Sequence, residues 1–113
     1  MRTEQALLTE NEFPVRQAEL NDGAMLAYIE KGAGEPVVFI HGAVSDCRTW
    51  AEQLEFFSAM NYRAVSYSRR FHRPNAEFKP GAAKYSRALH VSDLVGFLRT
   101  LDLGKAHLVG HSY

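Results

Sequence analysis

The sequence places a serine where it could act as a nucleophile. Gly110-His111-Ser112-Tyr113 supplies four of the five positions of a G-x-S-x-G motif, in which a tight turn lifts the serine hydroxyl above the edge of a sheet. Eight glycines in 113 residues make a G-x-S triplet easy to obtain by chance. Position is more informative, because the apolar stretch His107-Leu108-Val109 directly before the turn predicts a strand that leads into it.

A second loop could complete this chemistry. Attack of a serine on a carbonyl carbon needs two preorganised N–H donors that face the developing oxyanion. One donor commonly comes from the residue after the nucleophile, here Tyr113, and the other from a loop after an earlier strand. The H-G-A-V segment at 41–44 follows four apolar residues, so Ala43 is the expected second donor, with Val44 as the alternative. Gly42 would let the backbone approach without an intervening side chain.

The first elements predicted along the chain are strands. Val15–Leu20 and Met25–Glu30 predict a β-hairpin around the turn at 21–23, which reads N-D-G. The run Val37–Ile40 shows no polar alternation, as is typical of a strand buried on both faces of a parallel sheet. Arg63–Tyr67 predicts a further core strand, and residues 68–85 predict a loop interrupted by proline and glycine.

Two helices are expected between these strands. The first would begin at a capping box of Thr49 and Glu52. The second would run from a cap at Ser86 to Leu101, with Gly104 as its terminator. The predicted apolar faces are Trp50, Leu54 and Phe57 on the first helix, and Val91, Leu94, Val95, Leu98 and Leu101 on the second. Strands that alternate with helices predict an α/β fold with right-handed crossovers.

Composition excludes several classes of function. The glycines at 32 and 34 precede a strand instead of following one, so they do not form a dinucleotide fingerprint. The five histidines are scattered without metal-ligand spacing. Cys47 is the only cysteine, the N-terminal segment lacks the apolar core of a signal peptide, and no apolar run is long enough to span a bilayer. We expect a cytoplasmic protein with no cofactor, metal or membrane partner.

The charges balance overall but not locally. Acidic residues outnumber basic ones by seven to three over residues 1–35, and basic residues outnumber acidic ones by seven to one over 61–87. The second stretch also carries aromatic residues, a composition that can bind phosphate backbones. We interpret it as a solvated loop and expect no nucleic-acid partner. Nucleic-acid binding is the alternative, and salt-dependent retention on a polyanion would reveal it.

Three stretches, in their order and spacing, resemble the first half of a serine-nucleophile α/β-hydrolase. They are VVFIHGAVSDCRTW at 37–50, RAVSYSRRFHRPN at 63–75 and HVSDLVGFLRTLDLGKAHLVGHSY at 90–113. The last is the most specific, because helix, linker, strand and G-H-S follow one another as the family arranges them around its nucleophile. The resemblance covers residues 15–113, after a polar lead over 1–14. It implies the N-terminal, incomplete part of one domain.

The resemblance implies an esterase-like hydrolase acting on a small-molecule ester or related acyl substrate. Ser112 would be the nucleophile, and the backbone N–H groups of Ala43 and Tyr113 would bind the oxyanion. The supporting motif residues would be His41, Gly42, Val44, Gly110 and His111. In this family the acid and the histidine of the triad follow the serine, so both are expected beyond residue 113. A serine here also separates the chain from the haloalkane dehalogenases and epoxide hydrolases, relatives that use aspartate.

The loop after the 63–67 strand departs from the family's pattern. It resembles the common D-x-R-G-x-G stretch, with Arg70 and His72 at matching positions. Ser68, Phe71 and Arg73 stand where aspartate, glycine and glycine are common. We interpret Arg70 and His72 as braces of the loop, with substrate contact as the alternative.

Two further expectations follow from the resemblance. The 113-residue polypeptide made alone should be poorly soluble or molten and without hydrolase activity, because its last strand would lack a covering helix. The alternative to an enzyme is a non-catalytic α/β-hydrolase-like domain that binds a ligand or partner. A downstream acid and histidine in the family's order would favour the enzyme.

Overall fold

The structure, a computed structural model, describes residues 13–75 and 86–111. Five strands form one mixed sheet in the spatial order β1-β2-β4-β3-β5. The elements are β1 Arg16–Glu19, β2 Met25–Lys31, β3 Glu35–Ile40, α1 Ala51–Ala59, β4 Tyr62–Tyr67, α2 Arg87–Thr100 and β5 His107–Gly110. The predicted architecture, a hairpin followed by parallel strands with crossover helices, is confirmed.

The hairpin joins the sheet through its second strand. β1 and β2 pair antiparallel, with Glu19 opposite Met25, and Gly23 adopts φ 87 in the predicted turn. β2 also pairs antiparallel with β4, where Tyr28 lies opposite Tyr67. The hairpin therefore extends the sheet on the side of β4 and leaves the other side of β3 to β5.

The strand order reverses direction at β3. The chain passes from β3 to β4 on one side and later reaches β5 on the other, and both neighbours are parallel to β3. Right-handed crossovers in opposite directions place the connecting helices on opposite faces. Accordingly, α1 and α2 pack in separate core clusters. The carboxyl ends of β3 and β5 flank the reversal, which is where open α/β sheets bind ligands.

β3 is buried on both faces, as its unbroken apolar run predicts. Phe39 packs in the α1 cluster with Leu54, whereas Val38 packs in the α2 cluster. The ring centroid of Phe39 lies 5.1 Å from that of Trp50 and 5.6 Å from that of Phe57. The predicted apolar face of the first helix is thus confirmed.

The first helix begins differently from the prediction. A 3₁₀ turn over Cys47–Trp50 precedes α1, and Asp46 caps it by accepting the Arg48 N–H at 2.9 Å. The predicted capping box of Thr49 and Glu52 is wrong, since no side chain caps α1 itself. Aspartate is among the strongest N-capping residues, and its position three residues earlier starts the helical stretch sooner.

The second helix starts as predicted but buries a different face. The Ser86 hydroxyl caps α2 by accepting the Leu89 N–H at 3.1 Å. The fully buried residues are His90, Asp93 and Phe97, whereas the predicted face residues Val91 and Val95 are 61% and 40% exposed. The remaining predicted residues, Leu94, Leu98 and Leu101, are partly buried against the α2 cluster. The helix is rotated because Phe97 stacks on Tyr67, with ring centroids 4.6 Å apart, and Asp93 pairs with Arg70.

The end of α2 is also displaced from its prediction. Asp102 adopts φ 52 and donates to the Arg99 carbonyl, while the Leu103 N–H donates to the Leu98 carbonyl. These two bonds form a Schellman motif, so Asp102 terminates the helix in place of the predicted Gly104. Gly104 follows two residues later with φ 62.

The glycines before β3 serve close packing. Gly32 and Gly34 have φ values of 93 and 127, and a Cβ on either would collide with a backbone carbonyl oxygen, that of Tyr62 or Asn61 respectively. The G-x-G pattern is therefore explained by the approach of two backbones.

Phe13 lies at the edge of the predicted polar lead and is buried in the α1 cluster, whereas residues 1–12 lie outside the described residues. Neither helix in the described part of the chain is long and apolar enough to cross a membrane.

Candidate active site

The two loops singled out by the sequence emerge side by side at the reversal of strand order. Ile40, the last residue of β3, lies opposite Gly110, the last residue of β5. The pairing continues one step further, because the His111 N–H donates to the Ile40 carbonyl at 3.1 Å. Gly110 and His111 thus lie next to the start of the His41 loop. Ser112 and Tyr113, the predicted nucleophile and second oxyanion donor, lie outside the described residues.

His41 is a buried structural anchor of its loop. Its side chain is 1% exposed, and Nε2 accepts the Arg69 N–H at 2.9 Å. Since Nε2 accepts, Nδ1 carries the proton and donates to the Gly42 carbonyl at 2.7 Å. Burial, together with the neighbouring His72 and Arg69, lowers the pKa of His41 to about 4. The ring is therefore neutral near pH 7, as both of its bonds require.

The buried neutral His41 makes stability fall in acid. Its folded pKa of about 4 lies below the ordinary value of 6.5, so the unfolded chain binds more protons between these values. The contribution of neutral His41 to the free energy of unfolding is fully present above pH 6.5. It falls by about 3 kcal/mol in total as the pH drops towards 4. Urea denaturation at stepped pH measures the slope. His41→Gln should reduce the slope, and part of what remains comes from His90, whose pKa burial also lowers to about 4. An unchanged slope in His41→Gln would contradict this role for His41.

The candidate oxyanion donors are oriented by their neighbours. In a trans peptide the carbonyl and the N–H point in opposite directions. His41 holds the Gly42 carbonyl, so the Ala43 N–H points away from the buried His41 ring. Within residues 13–75 and 86–111, the N–H groups of Ala43 and Val44 donate no hydrogen bond, and both residues are exposed. The loop therefore presents N–H groups that can bind an acceptor. Gly42 itself is buried.

The loop after β4 is braced by an ion-pair network. The Arg70 guanidinium forms two 3.0 Å bonds with the Asp93 carboxylate and one 2.8 Å bond with Asp22 in the hairpin turn. Burial raises the pKa of Asp93, although Arg70 acts in the opposite direction. The predicted bracing role agrees with these contacts. The sequence did not single out Asp93 as a partner of Arg70, although a carboxylate amid the apolar residues of α2 was the available signal.

This loop departs from the D-x-R-G-x-G pattern that it resembles at Ser68, in place of aspartate, and at Phe71, in place of the first glycine. The Ser68 hydroxyl accepts the Cys47 N–H at 2.9 Å and donates to the Arg73 carbonyl at 2.5 Å, which an ionised aspartate could not do. Phe71 adopts φ 67, the left-handed region that glycine favours. Asn75 completes the brace, since its side chain accepts the Ala27 N–H and donates to the carbonyls of Ser68 and Arg69.

Three of the five arginines in the described part of the basic stretch are engaged within the fold, whereas Arg73 and Arg87 are exposed. Arg63 pairs with Glu30 at 2.9 Å, and Arg69 is 3% exposed. With Arg70 engaged by two carboxylates, these three guanidinium groups contribute to the fold and not to an open cationic surface.

The chain is similar to members of one large enzyme family. The profile of the alpha/beta hydrolase family matches residues 37–113. Epoxide hydrolase 2 of Siraitia grosvenorii is 35% identical over 82 residues, which cover 73% of this chain and 26% of that protein. Non-heme chloroperoxidase CPO-A1 of Kitasatospora aureofaciens is 35% identical over 91 residues, covering 80% and 32% respectively. An (E)-2-((N-methylformamido)methylene)succinate hydrolase of Acinetobacter baylyi is 32% identical over 94 residues, covering 83% and 34%.

A solved structure of an epoxide hydrolase also resembles this chain in fold. Epoxide hydrolase VrEH1 from Vigna radiata superposes with a TM-score of 0.81 at 29% identity, over 92% of this chain and 33% of that one. The chain spans between about a quarter and a third of the length of the proteins that it matches.

Proposed function

The chain belongs to the alpha/beta hydrolase family, and from that premise we propose that it carries the nucleophile and both oxyanion donors of a serine hydrolase. Ser112 attacks the carbonyl carbon of a carboxylic ester or related acyl group. The N–H groups of Ala43 and Tyr113 bind the oxyanion. The reaction is that of the full-length gene product, since the family places the other two triad residues after the serine.

The observation that carries the proposal is the pairing of the two loops. The His111 N–H donates to the Ile40 carbonyl, so the residue before Ser112 lies against the strand that leads into the His41 loop. On that loop the Ala43 N–H is exposed and has no acceptor among the described residues. A nucleophile and an oxyanion donor need this kind of proximity, because both must reach one carbonyl group.

The reaction proceeds by two acyl transfers. The Ser112 Oγ forms a bond to the carbonyl carbon as its proton passes to the histidine expected beyond residue 113. That histidine then protonates the departing alkoxide, which leaves as the C–O bond of the ester breaks. Water attacks the acyl-serine by the same route and restores the serine. Loss of one oxyanion donor would cost about 3 kcal/mol of transition-state stabilisation.

Several similar proteins are named epoxide hydrolases. A serine at 112 favours acyl substrates for this chain, because a carbonyl carbon offers the tetrahedral oxyanion that Ala43 could bind. An epoxide carbon offers no such oxyanion. Acyl transfer is therefore the reaction that fits the residues of this loop.

Covalent trapping tests the proposal. The full-length gene product is incubated with a fluorophosphonate probe, and the modified residue is located by mass spectrometry. We expect a single adduct on Ser112, formed much more slowly after heat denaturation. Ser58→Ala, which changes a half-buried serine on α1, is the matched control and should label like the wild type. No adduct would favour the non-catalytic binding domain, and an adduct elsewhere would assign the nucleophile to another residue.

A further inference from the structure

We propose that His72 is a positioning residue, which holds the oxyanion loop in its working orientation through a hydrogen bond from Nε2 to the Ala43 carbonyl. This inference rests on the proposed function of the loop. It assigns to His72 an effect on the reaction that is exerted through Ala43 and not through substrate.

The His72 ring spans two loops. Nε2 lies 2.9 Å from the Ala43 carbonyl oxygen, and Nδ1 lies 3.0 Å from the Arg70 carbonyl oxygen. A carbonyl oxygen only accepts, so each contact is a hydrogen bond when that ring nitrogen carries a proton. The tautomer protonated at Nε2 makes the bond to Ala43, and the imidazolium makes both. The ring also packs against the His41 ring at a centroid distance of 4.8 Å.

The backbone around His72 is fixed independently of the ring. The His72 N–H donates to the Arg69 carbonyl at 3.0 Å, and the His72 carbonyl accepts the Asn75 N–H at 2.9 Å. Arg70 on one side is tied to α2 and to the hairpin turn. The His72 ring therefore extends from a loop whose backbone is held in place, and its hydrogen bond connects that loop to the exposed Ala43.

The contact at Ala43 fixes a peptide that His41 does not reach. His41 holds the carbonyl of Gly42 and so orients the Ala43 N–H. His72 holds the carbonyl of Ala43, which sets the plane of the peptide linking Ala43 to Val44. Without it, that peptide could rotate about the Ala43 Cα–C bond and carry the Val44 N–H, the alternative oxyanion donor, out of position, and the Ala43 backbone would lose its second fixed point. Displacements of about 1 Å in an active site can lower the rate by about 100-fold.

Two isosteric substitutions separate the two ring contacts. The amide nitrogen of glutamine can occupy the place of Nε2, whereas that of asparagine can occupy the place of Nδ1. His72→Gln therefore retains a donor to Ala43, and His72→Asn retains only the donor to Arg70. His72→Leu removes both. All three are made in the full-length gene product and assayed with p-nitrophenyl acetate.

We expect His72→Gln to keep kcat within about threefold of the wild type. His72→Asn and His72→Leu should lower kcat by about 10- to 100-fold, with KM changed by less than about threefold. Equal kcat in the glutamine and asparagine variants would overturn the inference while the proposed function stands. A purely structural role would lower the melting temperature without separating these two variants.

Hydrogen exchange at the loop provides a readout that does not need activity. The Ser45 N–H donates to the Gly42 carbonyl at 3.3 Å and reports the order of the loop. Exchange at Ser45 should accelerate in His72→Asn and stay near the wild-type rate in His72→Gln. If the wild type neither hydrolyses ester nor takes up the fluorophosphonate, the proposed function fails, and this exchange pattern alone decides whether His72 holds the loop. Equal exchange in both variants would overturn the positioning role.

Discussion

Ser112→Ala should lower kcat/KM for ester hydrolysis by about 10⁴-fold or more in the full-length gene product. The substitution removes the hydroxyl that we propose as the nucleophile, while the loop that carries Ala43 stays in place. Residual catalysis should come from these remaining parts, as in other enzymes whose nucleophile has been removed. Initial rates with p-nitrophenyl acetate at pH 7.5 measure the loss.

Ser45→Ala is the control for this substitution. Ser45 lies on the same loop as Ala43, and its hydroxyl accepts a hydrogen bond from Thr49 at 3.0 Å without being part of the proposed machinery. We expect it to change kcat/KM by less than about threefold. If Ser112→Ala retained a tenth or more of the wild-type rate, another residue would have to be the nucleophile.

Local sequence signals predicted the elements well where neighbouring residues determine the outcome. The hairpin at the N-D-G turn, the doubly buried strand β3 and the Ser86 cap are all confirmed. In each case the decisive interaction lies within a few residues or depends on a pattern of hydrophobicity. The position of the His41 loop directly after the buried strand β3 also agrees with the sequence, because an apolar run fixes where the strand ends.

The errors arose where distant residues compete with local preference. The buried face of α2 depends on Asp93, whose partner Arg70 lies 23 positions earlier in the chain. A helical periodicity counts Asp93 as polar and so assigns it to the surface. Likewise, the connection from His72 to Ala43 joins residues 29 positions apart. The brace of the site is therefore a product of tertiary structure, and only its individual residue types were visible in the sequence.

Removing one member of the Arg70–Asp93 pair should lower the free energy of unfolding strongly, whereas replacing both members by apolar residues should lower it much less. Asp93 has a side chain 4% exposed, and that of Arg70 is 11% exposed. Asp93→Ala would leave a largely buried guanidinium without its bidentate partner, which should lower the free energy of unfolding by about 3–5 kcal/mol. Urea denaturation of the full-length gene product at pH 7.5 measures the change. Asp22→Asn is the matched control, because its carboxylate is 56% exposed and should contribute less than about 1 kcal/mol.

A double variant distinguishes the net contribution of the ion pair to stability from the penalty of leaving one charge buried without its partner. Burial raises the pKa of Asp93 despite Arg70, whereas the pKa of Arg70 is raised because its two carboxylate partners outweigh its burial, so desolvation and attraction largely offset each other within the pair. Replacing both by apolar residues, as in Arg70→Met with Asp93→Leu, should therefore recover much of the stability lost in Asp93→Ala. A double variant as unstable as Asp93→Ala would mean that the ion pair itself holds the loop. In that case the bond between Arg70 and Asp22 in the hairpin turn would have to contribute far more to the free energy of unfolding than an exposed carboxylate normally does.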